Sequence, residues 1–278
     1  MIGFGDRLAT AAAQRGPLCV GIDPHPQLMR DWGLDDSIDG LRRFALGAAE
    51  ALAPVAAAIK PQSAFFERFG SAGVAVLEET IALCREAGAL VVLDIKRGDI
   101  GSTAQAYADA YLRTNSPLFS DAVTVSPYLG FGSVRPFIDA ALAAGSGVFV
   151  LARTSNPEGG HVQLARTPDG RSVAQAIIDE AATCNADQIA AGAGLGSTGV
   201  VLGATVAAGE VDLGRLGGPV LAPGLGAQGA TAADLRSATG KAPLVLGSTS
   251  RDVLRAGPEA PDLVKRANEV IAAMRASA

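Results

Sequence analysis

Short apolar runs alternate with longer amphipathic stretches along almost the whole chain. The runs fall at 18–23, 55–60, 90–94, 122–126, 148–152, 200–202, 220–222 and 244–247. Most are Val/Ile/Leu/Ala-rich with little polar alternation, as strands covered on both faces require. Between them lie helical spacings at 38–52, 72–87, 102–111, 134–144, 173–190 and 232–238, and 262–275 closes the chain. The stretch 203–216 is short and irregular, and the helix expected there has the weakest pattern. Eight strand-then-helix units predict an α/β fold, a (β/α)8 barrel, rather than a doubly wound sheet. The barrel is expected to take in residues 1–278 as a single domain.

One stretch breaks the rhythm. Residues 153–171 hold two turn clusters, Asn156-Pro157-Glu158-Gly159-Gly160 and Thr167-Pro168-Asp169-Gly170. Proline and glycine at that density stop a helix. The stretch follows the fifth strand, so it is either a lid over a site or a plain surface excursion. His161 within it reads as a solvated loop histidine.

Composition narrows the function classes. With 278 residues, 49% of them hydrophobic, the chain can bury a large core. A net charge of −5 and the lack of a long basic run argue against nucleic acid as a partner. No apolar stretch reaches the roughly 18 residues of a membrane span. The N-terminus lacks the blocks of a signal peptide. Cys19, Cys84 and Cys184 are scattered, without metal-ligand spacing, and read as small core residues in a reducing cytoplasm.

Chemistry concentrates where the third run ends, at Asp94-Ile95-Lys96-Arg97-Gly98-Asp99. Strand alternation points Asp94 and Lys96 the same way and Ile95 the other. Gly98 then turns the chain and can bring Asp99 beside them. A single Asp–Lys pair would be an ordinary ion pair at a strand end. Two acids bracketing one amine point instead to a site, because such groups are costly to bury unless paired. Asp23, Lys60 and Ser126 end three other strands, and barrel chemistry occurs at those ends. Pro223-Gly224-Leu225-Gly226-Ala227-Gln228-Gly229 follows the seventh strand, and Arg251 follows the eighth. Glycine-rich loops there are the recurring phosphate site of such barrels, and Arg251 would add a forked, permanent cation.

These residues resemble the orotidine 5′-phosphate decarboxylase family, particularly its longer bacterial subfamily. The resemblance rests on 94–103, on Gly21-Ile22-Asp23-Pro24, on Ile59-Lys60-Pro61-Gln62, and on 223–228 with Arg251. It implies a cofactor-free barrel that converts orotidine 5′-phosphate (OMP) to uridine 5′-phosphate (UMP) and carbon dioxide. It also implies a homodimer whose Asp99 reaches into the partner's site. Lys96, Asp94, Lys60 and Asp99 are then the expected catalytic residues. Asp23 and the partner's Thr103 are expected on the ribose, Ser126 on the pyrimidine amide, and Gln228 and Arg251 on the phosphate. Ile100 and Pro223 complete the expected substrate-binding set. Related barrel enzymes that use a divalent metal carry an acid where this chain has Lys60, and an ammonium has no lone pair to offer. No metal is therefore expected. A non-catalytic phosphate sensor would have no need of Asp94, Lys96 and Asp99 together.

Overall fold

The computed structural model describes residues 2–226 and 231–276. Eight parallel strands close into a barrel in chain order: β1 (Leu18–Ile22), β2 (Ala58–Pro61), β3 (Leu90–Arg97), β4 (Ala122–Val125), β5 (Gly147–Arg153), β6 (Thr198–Leu202), β7 (Pro219–Pro223) and β8 (Leu244–Thr249). The ring is sealed where β1 meets β8, with Leu18 against Gly247 and Val20 against Thr249. All eight apolar runs of the sequence became strands. Nearly every strand residue is buried, because helices cover the outside and side chains fill the middle.

Local chemistry accounts for the helices. Ile38–Leu52 starts where Ser37 accepts a hydrogen bond from Gly40 N, and it buries Leu41, Phe44, Ala45, Ala48, Ala49 and Leu52 on one face. Val173–Ala190 is capped likewise by Ser172, and Ala232–Thr239 carries a reciprocal Thr231–Asp234 capping box. A single tertiary role explains the helix Phe4–Arg15, which the sequence pattern leaves unassigned. Its Phe4, Leu8 and Ala12 form one cluster with the strand residues Cys19, Val92, Phe149 and Leu246 that point inward. The helix plugs the N-terminal end of the barrel, with Phe4 edge-on to Phe149 at 5.9 Å. A Cβ on Gly147 would sit 2.2 Å from the Phe4 ring, so the plug requires glycine there.

The helix expected between β6 and β7 is absent among the described residues. The connection is irregular, and buried Val206, Leu213 and Leu216 hold it down instead of a helical stripe. Arg153 pairs with Glu210 at 2.9 Å, and Gln175 accepts from Asp212 N at 2.7 Å. Within 153–171 the helical pieces are two single turns, Pro157–Gly159 and Gly160–Gln163, and His161 is exposed. Cys19 and Cys84 are buried, and burial pushes both thiols up to about 12. No helix of the described residues is long and apolar enough to cross a membrane.

Candidate active site

The strands deliver their polar ends to one mouth. Asp23 follows β1, Lys60 sits near the end of β2, and Asp94 and Lys96 lie at the end of β3. These four line a cavity of about 420 Å³ at the C-terminal end of the barrel. Asp94 is its hub. Its Oδ2 accepts from Lys60 Nζ at 2.9 Å, and its Oδ1 accepts from Lys96 Nζ at 2.6 Å and from Thr124 Oγ1 at 2.8 Å. Lys60 and Asp94 are sealed, whereas the Lys96 side chain is 46% exposed toward the cavity.

Burial opposes ionisation of Asp94, but Lys60 and Lys96 outweigh it and hold the carboxyl well below its ordinary range. Burial likewise pulls Lys60 down, and Asp94 followed by Asp23 more than reverse that, so the ammonium is held above its usual value. One carboxylate therefore faces two ammonium groups. Asp23, which also acts on Lys60, adds a second carboxylate to the cavity lining.

Lys96 reaches this position through a bent backbone. The β3–β4 register shifts between Leu93 and Arg97, and Lys96 has φ of +46°, the one positive value among the described non-glycine residues. A non-glycine residue in that region costs on the order of 1–3 kcal/mol, and such strain concentrates at functional sites. Thr124 stabilises the bend, its Oγ1 accepting from Lys96 N at 3.1 Å.

The rim is built from the later strands. Pro223, Gly224 and Leu225 after β7, and Ser248 through Arg251 at the end of β8, line the cavity. Asp23 Oδ1, Thr249 Oγ1 and Ser250 Oγ are buried without a hydrogen-bond partner. Polar atoms left unmet in this way mark where a polar ligand fits. His25, edge-on to Phe65 at 4.2 Å, lines the same end. Burial pushes its imidazole below the ordinary value, and Arg251 and Arg68 add to this against the pull of Asp23.

Several expected positions lie elsewhere. Ser126 does not line the cavity; its N–H donates to Arg97 O at 2.8 Å. Gly98 fits against that same segment, for a Cβ there would come within 2.5 Å of Ser126 O. Asp99, one residue beyond Gly98, does not line its own chain's cavity, and it accepts from Ile100 N at 2.8 Å. Ile100 and Thr103 are exposed outside the cavity. Gln228 lies outside the described residues. In place of Ser126, the segment Thr154, Ser155 and Asn156 after β5 lines the cavity. Gln163 clamps it, accepting from Thr154 N at 2.9 Å and donating to Thr154 Oγ1 at 2.8 Å. The sequence leaves 153–171 open between a lid over the site and a surface excursion, and its first residues line the cavity. Thr124, His25 and Gln62 also line it and are not singled out by the sequence as site residues. Among the described residues, no group of three or more His, Cys, Asp or Glu side chains is placed to hold a metal ion.

The family model for orotidine 5′-phosphate decarboxylase / HUMPS matches residues 16–257. The chain belongs to this family. An orotidine 5′-phosphate decarboxylase of Salinispora arenicola is 60% identical over 278 residues, covering 100% of this chain and 99% of the relative. Among solved structures, a Streptomyces avermitilis protein assigned to the same activity superposes with a TM-score of 0.94 at 54% identity. That match covers 100% of this chain and 96% of the other. The OMP decarboxylase of Leishmania donovani is similar at 32% identity, with a TM-score of 0.76 and 99% of each chain covered. Family membership thus extends over the whole barrel, including the mouth that holds Asp94 and Lys96.

Proposed function

We propose that this chain decarboxylates OMP to UMP and carbon dioxide, the last step of de novo UMP biosynthesis, in the cytoplasm and without a cofactor. The observation that carries the reading is the Lys60–Asp94–Lys96 array on the floor of a cavity whose rim suits a phosphate. Breaking the C6–carboxylate bond leaves the electron pair on C6 in the ring plane, where the π-system cannot spread it. The Lys96 ammonium stabilises that pair and then donates a proton to C6. Asp94 lies where the departing carboxylate would be repelled, which raises the ground state. Buried Lys60 fixes Asp94 from behind.

Arg251 and the backbone after β7 take the phosphate, a remote group whose binding energy can be used at the reacting carbon. Asp23, with an unmet carboxylate oxygen, takes a ribose hydroxyl. We assign the pyrimidine amide to the Thr154–Asn156 segment, which lines the cavity, in place of Ser126, which does not. The assay is loss of OMP ultraviolet absorbance with a chelator present. Undiminished turnover supports the reading, and activity abolished by the chelator would point to the metal-using relatives.

The same reading calls for two chains. Ile100, Tyr128 and Leu129 are large apolar side chains exposed at 62%, 78% and 54%, near the outward-facing Asp99 and Thr103. A second copy would cover them and receive Asp99, Ile100 and Thr103 into its own site. Mixing Asp99→Ala with Lys96→Ala chains tests this arrangement. In a mixed dimer one site has both defects and the other neither, so activity returns; no recovery after confirmed subunit exchange would refute sharing.

A further inference from the structure

The strained backbone of Lys96 has a restraint on each side. Inside the barrel, Thr124 Oγ1 accepts from Lys96 N at 3.1 Å. Outside it, the next residue is held at several points. The Arg97 carbonyl accepts from Ser126 N at 2.8 Å, its guanidinium donates to Glu67 Oε1 at 2.5 Å, and its Cζ lies 5.6 Å from the Tyr107 ring centre. Glu67 ends the helix Ser63–Glu67, which starts two residues after β2, the strand that carries Lys60. Ser63 Oγ donates to the same Glu67 oxygen.

We propose that Arg97, acting through Glu67, is a positioning residue for Lys96, an inference that rests on the decarboxylase reading above. The pair ties the end of β2 to the end of β3 on the outer face, behind the charged array. Alternation turns Arg97 away from the cavity, so it touches no substrate. A single peptide plane joins it to Lys96. Relaxation of Lys96 toward extended backbone would swing that plane, and the anchors on Arg97 oppose the swing. The ammonium thereby stays on Asp94 and directed at the reacting carbon.

The tests separate positioning from simple support. Arg97→Met keeps the aliphatic stem and removes the charge. Its kcat for OMP is expected to fall about 10²-fold, the scale of a 1 Å misplacement. The Kd for UMP, set mainly at the phosphate, is expected to stay within about threefold. Glu67→Gln, the milder change, moves kcat the same way, and the double variant is no worse than Arg97→Met because both cut one contact. Arg97→Lys recovers part of kcat. An unchanged kcat, or a fall matched by equal weakening of UMP binding, overturns the proposal. Should Arg97→Met fail to fold, Glu67→Gln carries the test. A wild type inactive on OMP would refute the reaction instead. The brace is then judged from the crystal structure of Glu67→Gln, where Lys96 still near φ +46° and on Asp94 overturns it, and a relaxed Lys96 supports it.

Discussion

Two buried aspartates, at opposite ends of the barrel, are each paired with cations yet have different surroundings. Asp121 precedes β4 at the plugged end and is 6% exposed; Asp94 lies in β3 at the open end and is 7% exposed. Asp121 accepts from Arg7 at 2.6 Å and from Val91 N at 3.0 Å, and Arg7 also reaches Gly145 O at 2.9 Å. Charge there is balanced one to one, and the pair fastens the plugging helix to the strands. Asp94 instead faces two lysines, one sealed and one turned to a cavity. A balanced pair with no adjoining cavity holds structure. A half-exposed ammonium on a cavity floor has charge to offer a ligand.

Lys96→Ala breaks the comparison at its functional end and carries the largest expected effect. The half-exposed side chain can be lost without unfolding, while turnover drops by at least the roughly 10²–10⁴-fold of a positioned general acid. Steady-state assay beside a thermal melt checks both halves. Arg251→Ala comes next. Losing a charged hydrogen bond of about 1.5–3 kcal/mol weakens UMP binding by roughly 10–100-fold, measured by calorimetry, with little change in the melt.

Asp121→Ala sharpens the contrast from the other side. It strands the Val91 N–H at a cost of about 1–3 kcal/mol, while Arg7, one-third exposed, can hydrate. Stability falls by that order in denaturant titration and kcat stays put. A loss of turnover in the folded variant would mean the plugged end is not purely structural.

The smallest effect is in pH. Asp94 is held below its unfolded value, so its contribution to stability is present above about pH 4 and lost as pH falls toward the folded value. Lys60 is held above its unfolded value, so its contribution is full below about pH 10 and lost only as pH rises past that. The stability difference between wild type and Asp94→Asn should therefore shrink as pH falls below about pH 4, where the wild-type carboxylate takes up its proton. A difference that stays constant through that acid range would contradict the pairing.

Sequence made the open end more legible than the plugged one, for a physical reason. Strands covered on both faces leave continuous apolar runs, so the eight strands and the charged residues that end them stand out. Asp23, Lys60, Asp94, Lys96, Pro223 and Arg251 were visible in that way, and the structure places all six on one cavity. Thr124 was not, because a hydroxyl inside a strand looks like any other strand threonine. The turn-forming composition of 153–171 marked a loop, a lid over the site or a surface excursion, without settling its path, which depends on Gln163 folding back on Thr154. Ser126 follows a strand end just as the others do, yet its N–H pairs with Arg97 O beside the register slip and it does not line the cavity. The plugging helix shows two large apolar residues, Phe4 and Leu8, among alanines, and nothing local announces that a barrel will close over them.

The most direct test of the account is a crystal structure with UMP bound. Pyrimidine C6 is expected within hydrogen-bonding reach of Lys96 Nζ, about 3 Å, and the phosphate on Arg251. UMP bound outside this cavity, or with its phosphate on Lys96 and its base at Arg251, would contradict it.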